Sequence, residues 1–127
     1  MKTSKGEDKI IRLLRAANIK FEREKTFSDL RGGKFRYDFY LPLYNILIEV
    51  DGEQHFKQVK VFQKTRSDFL KQQENDRRKN SYALANNIPL IRIPYWELDN
   101  LNNFSDLFQK KFLVLSKWHN DYLVPKK

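Results

Sequence analysis

The chain contains no cysteine. That excludes a disulfide framework and any metal site built on thiolates, and it suits a reducing interior without requiring one. No apolar run approaches the ~20 residues that a membrane-spanning helix needs, and the N-terminus has no apolar signal region. A soluble, intracellular protein is therefore expected. The sequence shows no repeat or low-complexity segment and no clear sign of a second domain, and a chain of 127 residues is expected to form one domain with its own core. Zinc-finger spacing, a helix-turn-helix pattern and a separate specificity module are missing too.

Acidic residues are the minority charge, 16 against 25 basic ones, which leaves a net charge of +9. Together with the many aromatics, that excess favours a polyanionic partner, usually nucleic acid. A membrane-surface role fits less well, because no helix combines a wide apolar face with a basic one.

The stretch Lys34 to Gly52, KFRYDFYLPLYNILIEVDG, organises what is present. Phe35, Tyr37, Phe39 and Leu41 alternate with Arg36, Asp38 and Tyr40. Ile46, Ile48 and Val50 alternate with Leu47, Glu49 and Asp51. Period-two alternation in β-branched and aromatic residues predicts two strands, and Pro42-Leu-Tyr-Asn45 supplies the turn. A four-residue hairpin loop pairs Leu41 with Ile46. Asp38 then stands opposite Glu49, and Arg36 opposite Asp51. Directly opposed residues have Cβ atoms roughly 5 Å apart, where like charges destabilise. A divalent cation between Asp38 and Glu49 turns that repulsion into attraction. A one-residue slip would separate the two acids onto opposite faces.

Around this hairpin the chain reads as follows. Ser4 caps a helix to about Ala17, and Glu7 completes a capping box. Ile10, Ile11, Leu13, Leu14 and Ala17 form its apolar stripe. Glu7 shares that face, either as the box alone or as a carboxylate aimed at the hairpin. Residues 19–27 form a mixed, partly extended stretch, broken by Gly32-Gly33. His55 follows the second strand closely enough to exchange a proton there, although a lone histidine is usually structural or solvated. Lys57 to Arg66 reads as a basic loop suited to a phosphate backbone.

Ser67 is expected to cap a second helix from about Asp68 to Asn86. Its inward row is Phe69, Gln73, Asp76, Asn80 and Ala83. Asp76 on that row needs a partner or a metal: a salt bridge to Arg77 or Lys79, or a place at the site. Arg77, Arg78 and Lys79 form a basic cluster, either a solvated face or a phosphate contact. Leu90-Ile-Arg-Ile93 is expected as a central strand, parallel to the second hairpin strand across a β-α-β crossover. A last helix is expected from Ser105, with Leu107, Phe108, Phe112 and Leu115 on its apolar side.

Four segments together resemble the PD-(D/E)xK, or restriction-endonuclease-like, nuclease superfamily: Tyr37-Asp-Phe-Tyr-Leu-Pro42, Ile48-Glu-Val-Asp-Gly-Glu-Gln-His-Phe56, Asn75-Asp-Arg-Arg-Lys79 and Ile88-Pro-Leu-Ile-Arg-Ile93. The resemblance is closest to the very-short-patch-repair endonucleases and related phage homing endonucleases. It spans roughly residues 4 to 95. Each segment alone is weak; the combination is fairly specific.

The resemblance implies an α/β fold with a mixed central sheet, an N-terminal helix, an acidic hairpin, a crossover helix and a further strand. It implies a DNA endonuclease or nickase of homing or repair type, acting in a phage or its bacterial host. Asp38, Glu49 and the Val50 carbonyl would hold Mg²⁺, with Mn²⁺ as a substitute. Glu7, His55 and Asp76 match the remaining acids and histidine of the repair-type arrangement. Lys57, Lys60, Lys64, Arg77, Arg78 and Lys79 are the candidate DNA contacts. One departure stands out. The superfamily's Glu-x-Lys would place a lysine where this chain has Asp51. Its role then falls to His55 or to Lys79, and Asp51 becomes an acid behind the site or the partner of Arg36.

Two alternatives stay open. One is a structure-specific recombination or repair nuclease. The other is a nucleic-acid-binding module whose acids serve only the fold. Double-strand cleavage would need a homodimer, two sequential nicks, or an associated specificity module.

Overall fold

The computed structural model describes residues 4–53 and 66–122, so His55, Lys57, Lys60 and Lys64 lie outside the described residues. Helix α1 (Lys5–Ala16) starts as expected. Ser4 Oγ accepts the Glu7 N–H, and Glu7 Oε1 accepts the Ser4 N–H in return. Asn18 ends it in the left-handed region, at φ 57. The Ile19 N–H reaches Leu14 O and the Asn18 N–H reaches Arg15 O, a Schellman turn in which asparagine replaces the usual glycine. Helix α2 (Arg66–Ala85) ends in the same way, with Asn87 at φ 57 and the Ile88 N–H on Ala83 O. Ser67 lies inside α2 rather than at its cap, because the helix already includes Arg66.

Strands β1 (Glu22–Thr26), β2 (Arg36–Leu41), β3 (Ile46–Asp51) and β4 (Leu90–Pro94) form one mixed sheet in the order β1-β2-β3-β4. The hairpin register is the expected one: Leu41 pairs with Ile46, Tyr40 with Leu47 and Phe39 with Ile48. Strands β3 and β4 run parallel across α2, as the crossover predicts. β4 stands last in this order rather than at the centre. It is buried throughout, because the Val114 N–H bonds to Leu90 O and Leu113 bridges to Ile91 along its outer edge.

Helices cover both faces of the sheet. On one side Ile10, Leu13 and Leu14 of α1 pack with Phe39, Leu41, Ile48, Ile91 and Ile93. On the other, Ala83 of α2 packs with Tyr37, Leu47 and Leu90. The inward row of α2 is the predicted one at Asp76, Asn80 and Ala83, so this face is partly polar.

The expected C-terminal helix does not form. Short 3₁₀ turns occupy Phe104–Phe108 and Lys110–Phe112, and Asn103, not Ser105, caps the first. A continuous helix would set Leu107 and Phe112 about 140° apart around its axis. Breaking into turns lets both enter the core on the α1 side, while Phe108 and Leu115 stay exposed. Among the described residues no helix is long and apolar enough to cross a membrane.

Candidate active site

A local irregularity in two strands places the key acid. Phe39 packs on the α1 side, whereas Tyr37, two residues earlier, packs on the α2 side. A regular strand keeps such a pair on one face, so β2 turns over at Asp38. β1 turns over at the same level. The Arg23 guanidinium lies over Phe39, but the Lys25 ammonium lies over Tyr40, which packs on the α2 side. No residue is inserted, because Arg23–Phe39 and Lys25–Tyr37 keep one register. Between them Glu24 adopts φ 53, a left-handed conformation that side-chain-bearing residues seldom take. The strand pairing skips Asp38 on both sides.

Freed from the ladder, Asp38 interlocks with the next strand. Its N–H donates to Glu49 Oε1 at 2.6 Å, and its Oδ2 accepts the Val50 N–H at 2.7 Å. The two acids that the register sets opposite each other are therefore held side by side. Burial, then the Glu49 charge, pushes the Asp38 pKa up to about 8; the Val50 N–H and Lys79 pull it the other way, and Glu7 adds to the rise.

Lys79 reaches this pair from α2. Its Nζ donates to Glu49 Oε2 at 2.6 Å and to the Arg36 carbonyl. The Tyr37 hydroxyl donates to the Lys79 carbonyl at 2.8 Å and pins that turn of α2 to the sheet. Burial raises the Tyr37 pKa, so the phenol stays protonated. Only 13% of the Lys79 side chain is exposed, which makes it a member of the cleft rather than of an outer basic face.

α1 closes the cleft from the other side. A Cβ on Gly6 would stand 2.6 Å from Val50 Cγ1 and 3.1 Å from Leu98 Cδ1, so only glycine lets the first turn come this close to β3. Glu7, one residue on, keeps its capping bond and also pairs with Arg23 at 3.6 Å. Glu7 thus completes the capping box and also borders the cleft. Glu7, Asp38, Glu49, Val50, Gln72 and Lys79 border one open cleft of about 650 Å³.

Behind Glu49 lies a buried charge cluster that the sequence does not announce. Arg92, the β4 partner of Glu49, is fully buried. Its Nη1 lies 2.6 Å from Asp51 Oδ1 and 3.9 Å from Glu49 Oε2. Its Nη2 lies 3.7 Å from Asp76 Oδ1, and its Nε donates to Asn80 Oδ1 at 2.7 Å. Asn120 donates to both Asp51 and Asp76. Burial works against the guanidinium charge, but Asp51, then Asp76, Glu49 and Asp38 outweigh it and raise its pKa. Asp51 therefore pairs with Arg92, not with Arg36, whose carboxylate partner is Glu24 at 3.4 Å. Asp76 belongs to the same cluster and does not line the cleft. Among the described residues its partners include Arg92, Gln72 and Asn120, while Lys79, one of its candidate partners, bonds to Glu49. Arg77 and Arg78 border a separate groove on the outer side of α2. The signal for the buried cluster was an arginine inside an apolar strand, Leu90-Ile-Arg92-Ile93, facing a helix row that carries Asp76 and Asn80.

Among the described residues no group of three or more His, Cys, Asp or Glu side chains converges on one point. Asp38 and Glu49 do border one cleft. Magnesium typically uses one or two protein carboxylates and keeps several waters. Asp38, with a raised pKa beside a second acid, and Glu49 therefore fit such an ion as hard oxygen donors.

No family model matches the chain, and no solved structure matches it. A 58-residue stretch is 36% identical to an uncharacterized protein, 307L, of Invertebrate iridescent virus 6. That stretch is 46% of this chain and 29% of the viral protein, so the chain spans under a third of that relative's length.

Proposed function

We propose that the chain is a metal-dependent DNA endonuclease or nickase that hydrolyses a phosphodiester bond at the Asp38–Glu49 cleft. The reading rests chiefly on one observation: two carboxylates interlocked at the break in the β2 ladder, with a part-buried lysine on one of them. Asp38 and Glu49, next to Val50, would hold Mg²⁺ or Mn²⁺. The ion would polarise the scissile phosphate and stabilise the leaving 3′-oxygen.

Lys79 takes the place that Asp51 leaves vacant in the family pattern. Its ammonium stands on the cleft side of Glu49, where it can orient the attacking water or meet a phosphate oxygen. Arg92 stands behind Glu49, its Nη1 3.9 Å from Oε2, and holds it from the rear. Glu7 adds negative charge at the cleft mouth and favours cation binding. His55 stays a candidate proton acceptor. A single cleft cuts one strand, so a double-strand break would need a second copy or two successive nicks.

A second reading has its own support. One oxygen of each carboxylate already accepts a backbone N–H, as expected of acids that serve only the fold. A plasmid nicking assay separates the two. The wild-type chain is expected to relax supercoiled plasmid in Mg²⁺ or Mn²⁺, while Asp38→Ala and Lys79→Met lose at least about a hundredfold in rate, the scale of one lost transition-state donor. A wild-type chain that cuts no DNA form in either metal, or an Asp38→Ala variant that cuts equally well, returns the acids to a structural role.

A further inference from the structure

The cleft does not end at α1. A second groove, about 440 Å³, runs from its mouth along the outer flank of the helix. The two share Lys5, Tyr95 and Leu98. Lys5, Lys9 and Arg12 line this groove, spaced four and three residues apart, which sets them in one row on the helix. Lys5 and Arg12 are exposed and Lys9 is half-buried. None of the three makes an ion pair among the described residues, although two acids, Asp8 and Asp99, border the same groove. The inner cations differ in kind: Lys79 and Arg92 are fixed on carboxylates.

From these observations we infer that the Lys5–Lys9–Arg12 row is a track for the phosphodiester backbone of duplex DNA, carrying one strand out of the cleft. This rests on the reading of the cleft as a DNA-cleaving site. The dimensions agree. Seven residues of helix span about 10 Å, about three steps of one strand measured along the duplex axis at 3.4 Å each. With the helix along that axis, three cations thus meet about three to four phosphates. Their flexible stems contact backbone rather than base edges, so the track adds affinity and register without sequence preference. Tyr95, shared by both grooves, stands where the strand passes from cleft to track.

The test is salt-dependent binding of the whole chain, in EDTA, to a fluorescein-labelled 20-base-pair duplex followed by anisotropy. Lys5→Ala/Lys9→Ala/Arg12→Ala should lower the slope of log K against log salt by about 2 to 3 and weaken binding at least about tenfold at ~0.1 M salt. Arg15→Ala/Lys20→Ala, which removes two exposed cations beyond the groove, should change the slope little. An unchanged slope in the triple variant, or an equal drop in the control pair, overturns the inference. Should the triple variant lose its native melt, Lys9→Ala/Arg12→Ala reads the same slope, with a fall of about 1 to 2 expected. Nicking by the wild-type chain in Mg²⁺ is scored separately. A lost slope with no nicking removes the nuclease reading and leaves the track; nicking with an unchanged slope does the reverse.

Discussion

At the scale of single residues, the acids of the chain separate by what stands beside them. Asp38 and Glu49 share a cleft open to solvent, while Asp51 and Asp76 share a buried arginine. Asp38 carries its pKa up to about 8, above its ordinary 3.8, so without a cation the folded chain holds a proton there that the unfolded chain has lost. The resulting stability is complete below about pH 4 and is lost as pH rises through about 8. Mg²⁺ should therefore raise the melting temperature more at pH 9 than at pH 6.5, because the ionised pair is the form that needs the cation. Asp38→Asn should abolish that difference in calorimetry; an Mg²⁺ effect equal at both pH values argues against a cation on this pair. Arg92 has the opposite character. Arg92→Met removes the buried guanidinium that stands beside Asp51 and Asp76 and should cost about 3–5 kcal/mol. Adding Asp51→Asn should recover part of that in urea titrations. A lysine at position 51 would set an ammonium against this fully buried guanidinium, so the fold favours an acid there.

At the scale of elements, the hairpin is regular except where Asp38 meets Glu49. β1 and β2 exchange faces together at Glu24 and Asp38, and Glu24 bears the left-handed conformation that permits it. Glu24 acts through its backbone, since its ion pair with Arg36 is largely exposed and worth little. Glu24→Gly should keep nicking activity and leave stability unchanged or raise it by up to about 1 kcal/mol, because glycine takes φ > 0 freely. Glu24→Val should lose about 1–2 kcal/mol and nick more slowly, as Asp38 is drawn back toward the ladder. Equal behaviour of the two variants would mean that the turn-over does not depend on residue 24. Here lies the limit of what alternation discloses. The hairpin register, both helix ends, the parallel crossover and the meeting of Asp38 with Glu49 follow from local signals: a four-residue turn, capping residues, paired asparagines, period two. The face of Tyr37 does not, because alternation carries no mark of a reversal shared by two strands. Arg92 was hidden for a related reason. Its partners come from β3 and α2, and Asn120 of the 3₁₀ turn His119–Tyr122 holds two of those partners, so only the assembled fold makes a buried arginine tolerable. The C-terminal helix was misread because Leu107 and Phe112 suit a helical stripe by composition, while the core on the α1 side needed them on one side together.

At the scale of the whole molecule, the C-terminal turns clamp the site from behind. Asn120 holds Asp51 and Asp76 at once, so the last described segment ties β3 to α2 beneath Glu49. His119, next to it, has a buried Nε2 with no hydrogen-bond partner among the described residues. Burial, and then the Arg92 charge, lower its pKa to about 4. The unfolded chain takes up this proton near pH 6.5 and the folded chain does not. Stability from a neutral His119 is thus present above about pH 6.5 and drains away as pH falls toward 4. His119→Phe removes that titration, so the gap between its urea midpoints at pH 7 and pH 5 should be smaller than in the wild type. An undiminished gap would mean that the acid sensitivity lies with the carboxylates around Arg92 alone. The two outcomes differ in what they imply for the cleft. A clamp that loosens through His119 frees α2, and with it Lys79, short of global unfolding. Activity should then fall with acid ahead of global unfolding, and His119→Phe should move that fall to lower pH.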